Sequence, residues 1–105
     1  MNEREKYREQ ILQRLNEREL LEQLAEESAE MGKAALKVIR ACGMSNNITP
    51  VTSTESLTDL QEEIVDVLCV LDVLGYDLLD LITDVVYYPK WERWAKRLHE
   101  EGVTV

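Results

Sequence analysis

Two short acidic runs hold the residues of this chain best suited to chemistry. One reads Glu26-Glu27-Ser28-Ala29-Glu30, the other Glu62-Glu63-Ile64-Val65-Asp66. Glu27 and Glu30 stand three residues apart, as do Glu63 and Asp66, so on helices each pair projects from one face. Four carboxylates on two facing helices make an oxygen-only ligand set, which suits Mg2+ or Mn2+ rather than zinc. Asp66 is the most informative of the four, because the most apolar stretch of the chain follows it at once. A lone buried carboxylate costs several kcal/mol or takes up a proton. A cation shared with Glu63 and with the pair on the neighbouring helix offsets that cost. An E-x-x-E alone is an ordinary solvated pair on a glutamate-rich helix. Its combination with an E-x-x-D at the edge of an apolar helix is what points to a metal. A di-iron bundle also uses inward carboxylates, but it needs Glu-x-x-His pairs. The one histidine, His99, lies near the C-terminus.

Helices must position these pairs, and the composition favours them. The chain has 105 residues with only 4 Gly and 2 Pro, and 45% of it is hydrophobic. That describes one compact domain over residues 1–105, rich in helix formers. Residues 3–15 predict a short amphipathic helix carrying Tyr7, Ile11, Leu12 and Leu15. Asn16 reads as the N-cap of a second helix, with Glu19 at capping-box spacing. That helix runs from Glu17 to Cys42, with Leu21, Leu24, Ala25, Ser28, Met31, Ala35, Val38, Ile39 and Cys42 as its buried stripe. Gly43 ends it. Residues 43–55 read as a loop. A third helix is expected from Ser56, with Asp59 in capping-box position, to Gly75. A fourth is expected from Asp77 to Glu100, kinked or restarted at Pro89. Nothing alternates with period two, so the expected fold is an all-α, four-helix bundle. From Ile64 to Leu74 the third helix is apolar on nearly every face and needs cover all round. A homodimer or homotetramer would supply it.

The net charge of −9, from 21 acids and 12 bases, repels a nucleic-acid backbone, so no nucleic-acid partner is expected. Cys42 and Cys69 have no C-x-x-C spacing and no nearby histidine, which speaks against zinc; Cys69 reads as a small core residue. The charged beginning and the lack of a long apolar run predict no signal peptide, no membrane partner and a cytoplasmic location with free thiols.

The run QLAEESAEMGKAALKVIR, the segment LQEEIVDVLCVLDVLG and the basic tail KWERWAKRL together resemble the MazG-like nucleoside triphosphate pyrophosphohydrolases, of the all-α NTP pyrophosphatase superfamily. The signature of that family is EExxE, a connection, then ExxD. The likeness extends from about Leu20 to Leu98, with a longer connection between Glu30 and Glu63 than compact members have. The resemblance implies hydrolysis of a nucleoside triphosphate between the α and β phosphates, giving the monophosphate and pyrophosphate. It implies Glu27, Glu30, Glu63 and Asp66 as ligands of Mg2+, with Mn2+ as a substitute. It gives Glu26 and Glu62 a role in orienting the attacking water or supporting the ligands. Within the same superfamily the alternatives are a phosphoribosyl-ATP pyrophosphohydrolase and a dUTPase-like or dCTPase-like enzyme. Outside it stands a non-catalytic helical interaction protein.

Lys90, Arg93 and Arg97 recur at i, i+3 and i+7, one stripe that suits the β and γ phosphates or, equally, a solvated cationic face. Lys33 and Lys37 share a face with Glu26 and Glu30 and are placed to pair with them; Lys37 is also a candidate phosphate ligand. Tyr87, Tyr88, Trp91 and Trp94 cluster near Pro89, as core or interface residues or as a stacking platform. Asp72 has no obvious partner in its apolar helix.

Overall fold

The computed structural model describes residues 1–44 and 51–100. Among them every element is helical: α1 (Glu3–Arg14), α2 (Glu17–Ala41), α3 (Ser53–Leu74), α4 (Leu78–Thr83) and α5 (Tyr87–Glu100). No helix among the described residues is long and apolar enough to cross a membrane.

Local signals set most boundaries. Asn16 Oδ1 accepts from the Glu19 N–H at 2.9 Å, and the Asn16 N–H donates to Glu19 Oε1 at 3.2 Å, closing the expected capping box. Asn2 and Glu5 close a second one that the sequence reading passed over. Gly43, with φ 73°, turns the chain out of α2, and Gly75, with φ 100°, caps α3; both need the left-handed region that glycine enters freely.

Two boundaries differ from expectation. α3 starts at Ser53, not Ser56, because Thr52 is the N-cap and accepts from the Glu55 N–H at 3.1 Å. Ser56 instead lies fully buried inside the helix, its hydroxyl donating to the Ser53 carbonyl at 2.9 Å. The expected fourth helix is two helices, making five where four were predicted. The chain leaves α4 at Asp84 and restarts at Tyr87, so Pro89 falls in the first turn of α5, where its missing N–H breaks no helical bond. Residues 45–50 of the expected 43–55 loop, including Asn47, lie outside the described residues.

The chain divides into two compact units, Met1–Gly75 and Tyr76 onward. In the first, α2 and α3 pack along each other as the arms of a helical hairpin. On α2 the inward positions are Leu20, Leu24, Glu27, Met31, Ala34, Val38 and Ala41. On α3 they are Ser56, Leu60, Glu63, Val67, Val70 and Leu74. Steps of four and three along both helices are those of a coiled-coil seam. The predicted α2 stripe is therefore partly wrong: Leu24, Met31, Val38 and Cys42 turn inward, but Leu21, Ala25, Ser28, Ala35 and Ile39 are exposed. α2 is apolar on two adjoining faces, and periodicity does not say which one meets α3. Cys69, expected in the core, is exposed.

α1 lies against α3. Arg4 grips Asp72 with two hydrogen bonds of 2.9 Å, which gives Asp72 the partner that the sequence did not suggest. In the second unit, Tyr87 meets Trp91 edge to face along α5, with ring centroids 6.1 Å apart, and Trp91 lies tilted against Trp94 at 6.4 Å.

Candidate metal centre

Glu27 and Glu63 occupy seam positions where a coiled coil would place apolar residues. One carboxylate oxygen each from Glu27, Glu63 and Asp66 lies within 4.8 Å of the others. Glu27 and Glu63 are half-buried, and Asp66 stands at the open edge. The donor set fits the cation expected of it. Octahedral Mg2+ at about 2.1 Å sets its ligand oxygens about 3 to 4.2 Å apart, a distance small rotamer changes reach.

The cluster has an electrostatic signature. The Glu63 carboxyl is pushed above its usual value of 4.5, first by burial and then by the charges of Asp66, Glu27, Glu30 and Glu62. Four acids thus act on one half-buried acid, which is the field a cation would relieve. Gln23 Nε2 donates to Glu27 Oε1 at 2.8 Å and holds that carboxylate in place. Gln23 lies outside the acidic runs, but its position four residues before Glu27 makes the two side chains neighbours on the helix.

Glu30 does not join the trio. It faces Lys33 at 3.6 Å, one of the pairings that the helix spacing suggested. The reason is the hairpin geometry. Three residues advance each helix by about 4.5 Å, and in antiparallel arms those steps run in opposite directions. Asp66 and Glu30 therefore flank the Glu27–Glu63 level on opposite sides. Glu62 lines a shallow groove of about 460 Å³ with Asp66, Thr58, Gln61 and Val65. Glu26 is exposed on α2 and belongs to neither the trio nor this groove. Lys37 is half-buried, about 15 Å along α2 from Glu27.

In the second unit, Lys90, Arg93 and Arg97 line one groove of about 510 Å³ together with Trp94, Lys96 and Glu100. The three cations expected on one stripe do share a surface. Lys96 and the Trp94 ring add to it. No family model, curated protein or solved structure matches this chain.

Proposed function

We propose that this chain is a Mg2+-dependent nucleoside triphosphate pyrophosphohydrolase that clears surplus (deoxy)nucleotides, with a MazG-like bundle completed by association of chains. The observation that carries the reading is the meeting of Glu27, Glu63 and Asp66 oxygens within 4.8 Å across two helices. Mn2+ is the expected substitute metal. Bound Mg2+ would supply charge neutralisation on the phosphates and a lowered pKa for an attacking water. The rest falls to the chain. Glu27, Glu63 and Asp66 would hold the ion, and Gln23 fixes the orientation of Glu27. Glu30 would add to the set only by leaving Lys33, an exposed pairing worth at most about 1 kcal/mol. Glu62, beside Asp66 in the shallow groove, accepts a hydrogen bond from the attacking water and orients it; Glu26 is the corresponding acid on α2. Lys37 is the proposed phosphate ligand of the first unit; the groove of Lys90, Arg93 and Arg97 is a phosphate-binding surface of the second unit in its own right.

The products test the reaction class. Incubation with a panel of ribo- and deoxyribonucleoside triphosphates, followed by anion-exchange chromatography, should give monophosphate and pyrophosphate in equal amounts. Diphosphate with free phosphate would mean attack at the terminal phosphorus and would contradict the proposal.

The basic groove makes a separate prediction. Lys90→Ala and Arg93→Ala should each raise KM by about tenfold, the loss expected for one charge-assisted hydrogen bond of about 1.5 kcal/mol. Their melting temperatures should match the wild type, since surface cations add little to folding. Unchanged kinetics in both variants would leave the groove a solvated cationic face.

A further inference from the structure

We propose that α5 lies along an anionic lipid surface, with its aromatic face turned into the interface and its cationic edge against the headgroup phosphates. At about 100° per residue, Tyr87, Tyr88, Trp91, Trp94, Ala95 and Leu98 share an arc of about 120° on α5, the width of one apolar face. No charged residue falls inside that arc. Lys90, Arg93 and Arg97 run along one edge of it and line a groove with Trp94. Glu92 and His99 stand at the other edge. The face is open: Tyr88 is 78% exposed, Trp91 57% and Trp94 55%. Neither α4 nor α5 has a buried residue.

The residue types select the occupant. The chain has 4 Tyr, 2 Trp and no Phe. Both tryptophans, with Tyr87 and Tyr88, fall on this one face. Tyr and Trp join an apolar ring to a polar tip, and a membrane–water interface satisfies both parts. Lys and Arg beside such a face keep their charged heads among phosphates while their stems cover apolar surface. A small anion fits less well. The groove lies on the surface of a single helix and lacks the enclosure that small-molecule sites have. A purely acidic peptide would engage the cations and leave the aromatic face in water. No helix among the described residues is long and apolar enough to cross a bilayer, but a helix that lies in the surface plane needs no such run. The net charge of −9 does not oppose the contact either. The four cations of α5 outnumber its two acids, and at physiological salt charges more than about 8 Å from the lipid are largely screened. Lipid headgroups and nucleotide phosphates would compete for Lys90, Arg93 and Arg97. The inference stands on α5 alone and does not require that the chain hydrolyses anything.

Intrinsic tryptophan fluorescence of the full chain tests it, because both tryptophans lie on α5 and report on this helix alone. In chelator at physiological ionic strength, vesicles of equal parts phosphatidylglycerol and phosphatidylcholine should shift the emission to the blue and carry the protein with them on sedimentation. Vesicles of phosphatidylcholine alone should bind about tenfold more weakly, or less. Arg93→Gln combined with Arg97→Gln should weaken binding to the anionic vesicles by about twenty-fivefold, about fivefold for each cation. Trp91→Ala should weaken it by about tenfold, with Trp94 still reporting. Both variants should match the wild type in circular dichroism, since the substituted side chains are exposed. Anionic vesicles that change neither the emission nor the sedimentation would overturn the proposal. So would binding that survives both sets of substitutions, or a blue shift produced by inorganic tripolyphosphate or polyglutamate and not by vesicles.

Discussion

Asp66→Asn should lower the proposed pyrophosphate release by about two to three orders of magnitude, the loss expected when one charged group that stabilises the reacting phosphates is removed. The amide keeps the size of the side chain and deletes its charge. The same variant makes a stability prediction that activity alone does not contain. Asp66 is one of the charges that raise the Glu63 pKa, so in chelator its removal relieves repulsion, and the melting temperature is unchanged or higher. The wild type should gain stability from Mg2+, because an ion held by these carboxylates would bind only the folded hairpin. At a hundred times Kd the gain is about 2.7 kcal/mol, or about 10 to 20 °C in a domain of this size. Asp66→Asn loses most of that gain. A structural role for Asp66 gives the opposite pattern: a lower melting temperature in chelator, with the Mg2+ shift intact. Differential scanning calorimetry of both proteins, with Mg2+ and with chelator, separates the two.

Glu63→Gln has the second largest effect, and its sign depends on pH. In the folded chain the Glu63 carboxyl titrates above 4.5 because burial and the surrounding acids disfavour its charge. The native state therefore binds this proton more tightly than the unfolded chain does. By linkage, stability falls as pH rises from the unfolded value through the folded one, and the deficit stays in full above it. In chelator, the wild type should lose melting temperature through this group between mildly acidic and neutral pH. Glu63→Gln should remove that slope and melt higher than the wild type at neutral pH. With Mg2+ the order reverses, since the ion needs the ionised carboxylate and only the wild type binds it. A Glu63→Gln variant that melts lower than the wild type in chelator at neutral pH would show that the charge stabilises the seam without metal.

The acidic cluster was legible in the sequence to the extent that helical spacing decides which side chains share a face. The Asn16–Glu19 capping box set the start of α2, and the three-residue spacing of Glu63 and Asp66 put both beside Glu27. What remained hidden depended on the rotation of one helix against the other. Leu21 and Leu20 are adjacent and equally apolar, yet only Leu20 enters the seam, at 4% exposure. Glu30 looked equivalent to Asp66 until the antiparallel pairing sent the two in opposite directions. The start of α3 was misplaced because Thr52-x-x-Glu55 was read as loop, although it is itself a capping pattern. Asp72 found its partner 68 residues away, in Arg4, and no local pattern reaches across such a separation.

The cation site can be tested without any assumption about substrate. Mn2+ titrated into the full chain, with free Mn2+ read by electron paramagnetic resonance, should show saturable binding. Mg2+ should compete with it, and Asp66→Asn should abolish it. An unattenuated free-Mn2+ signal at millimolar metal, in wild-type protein shown by circular dichroism to be folded, would contradict the account.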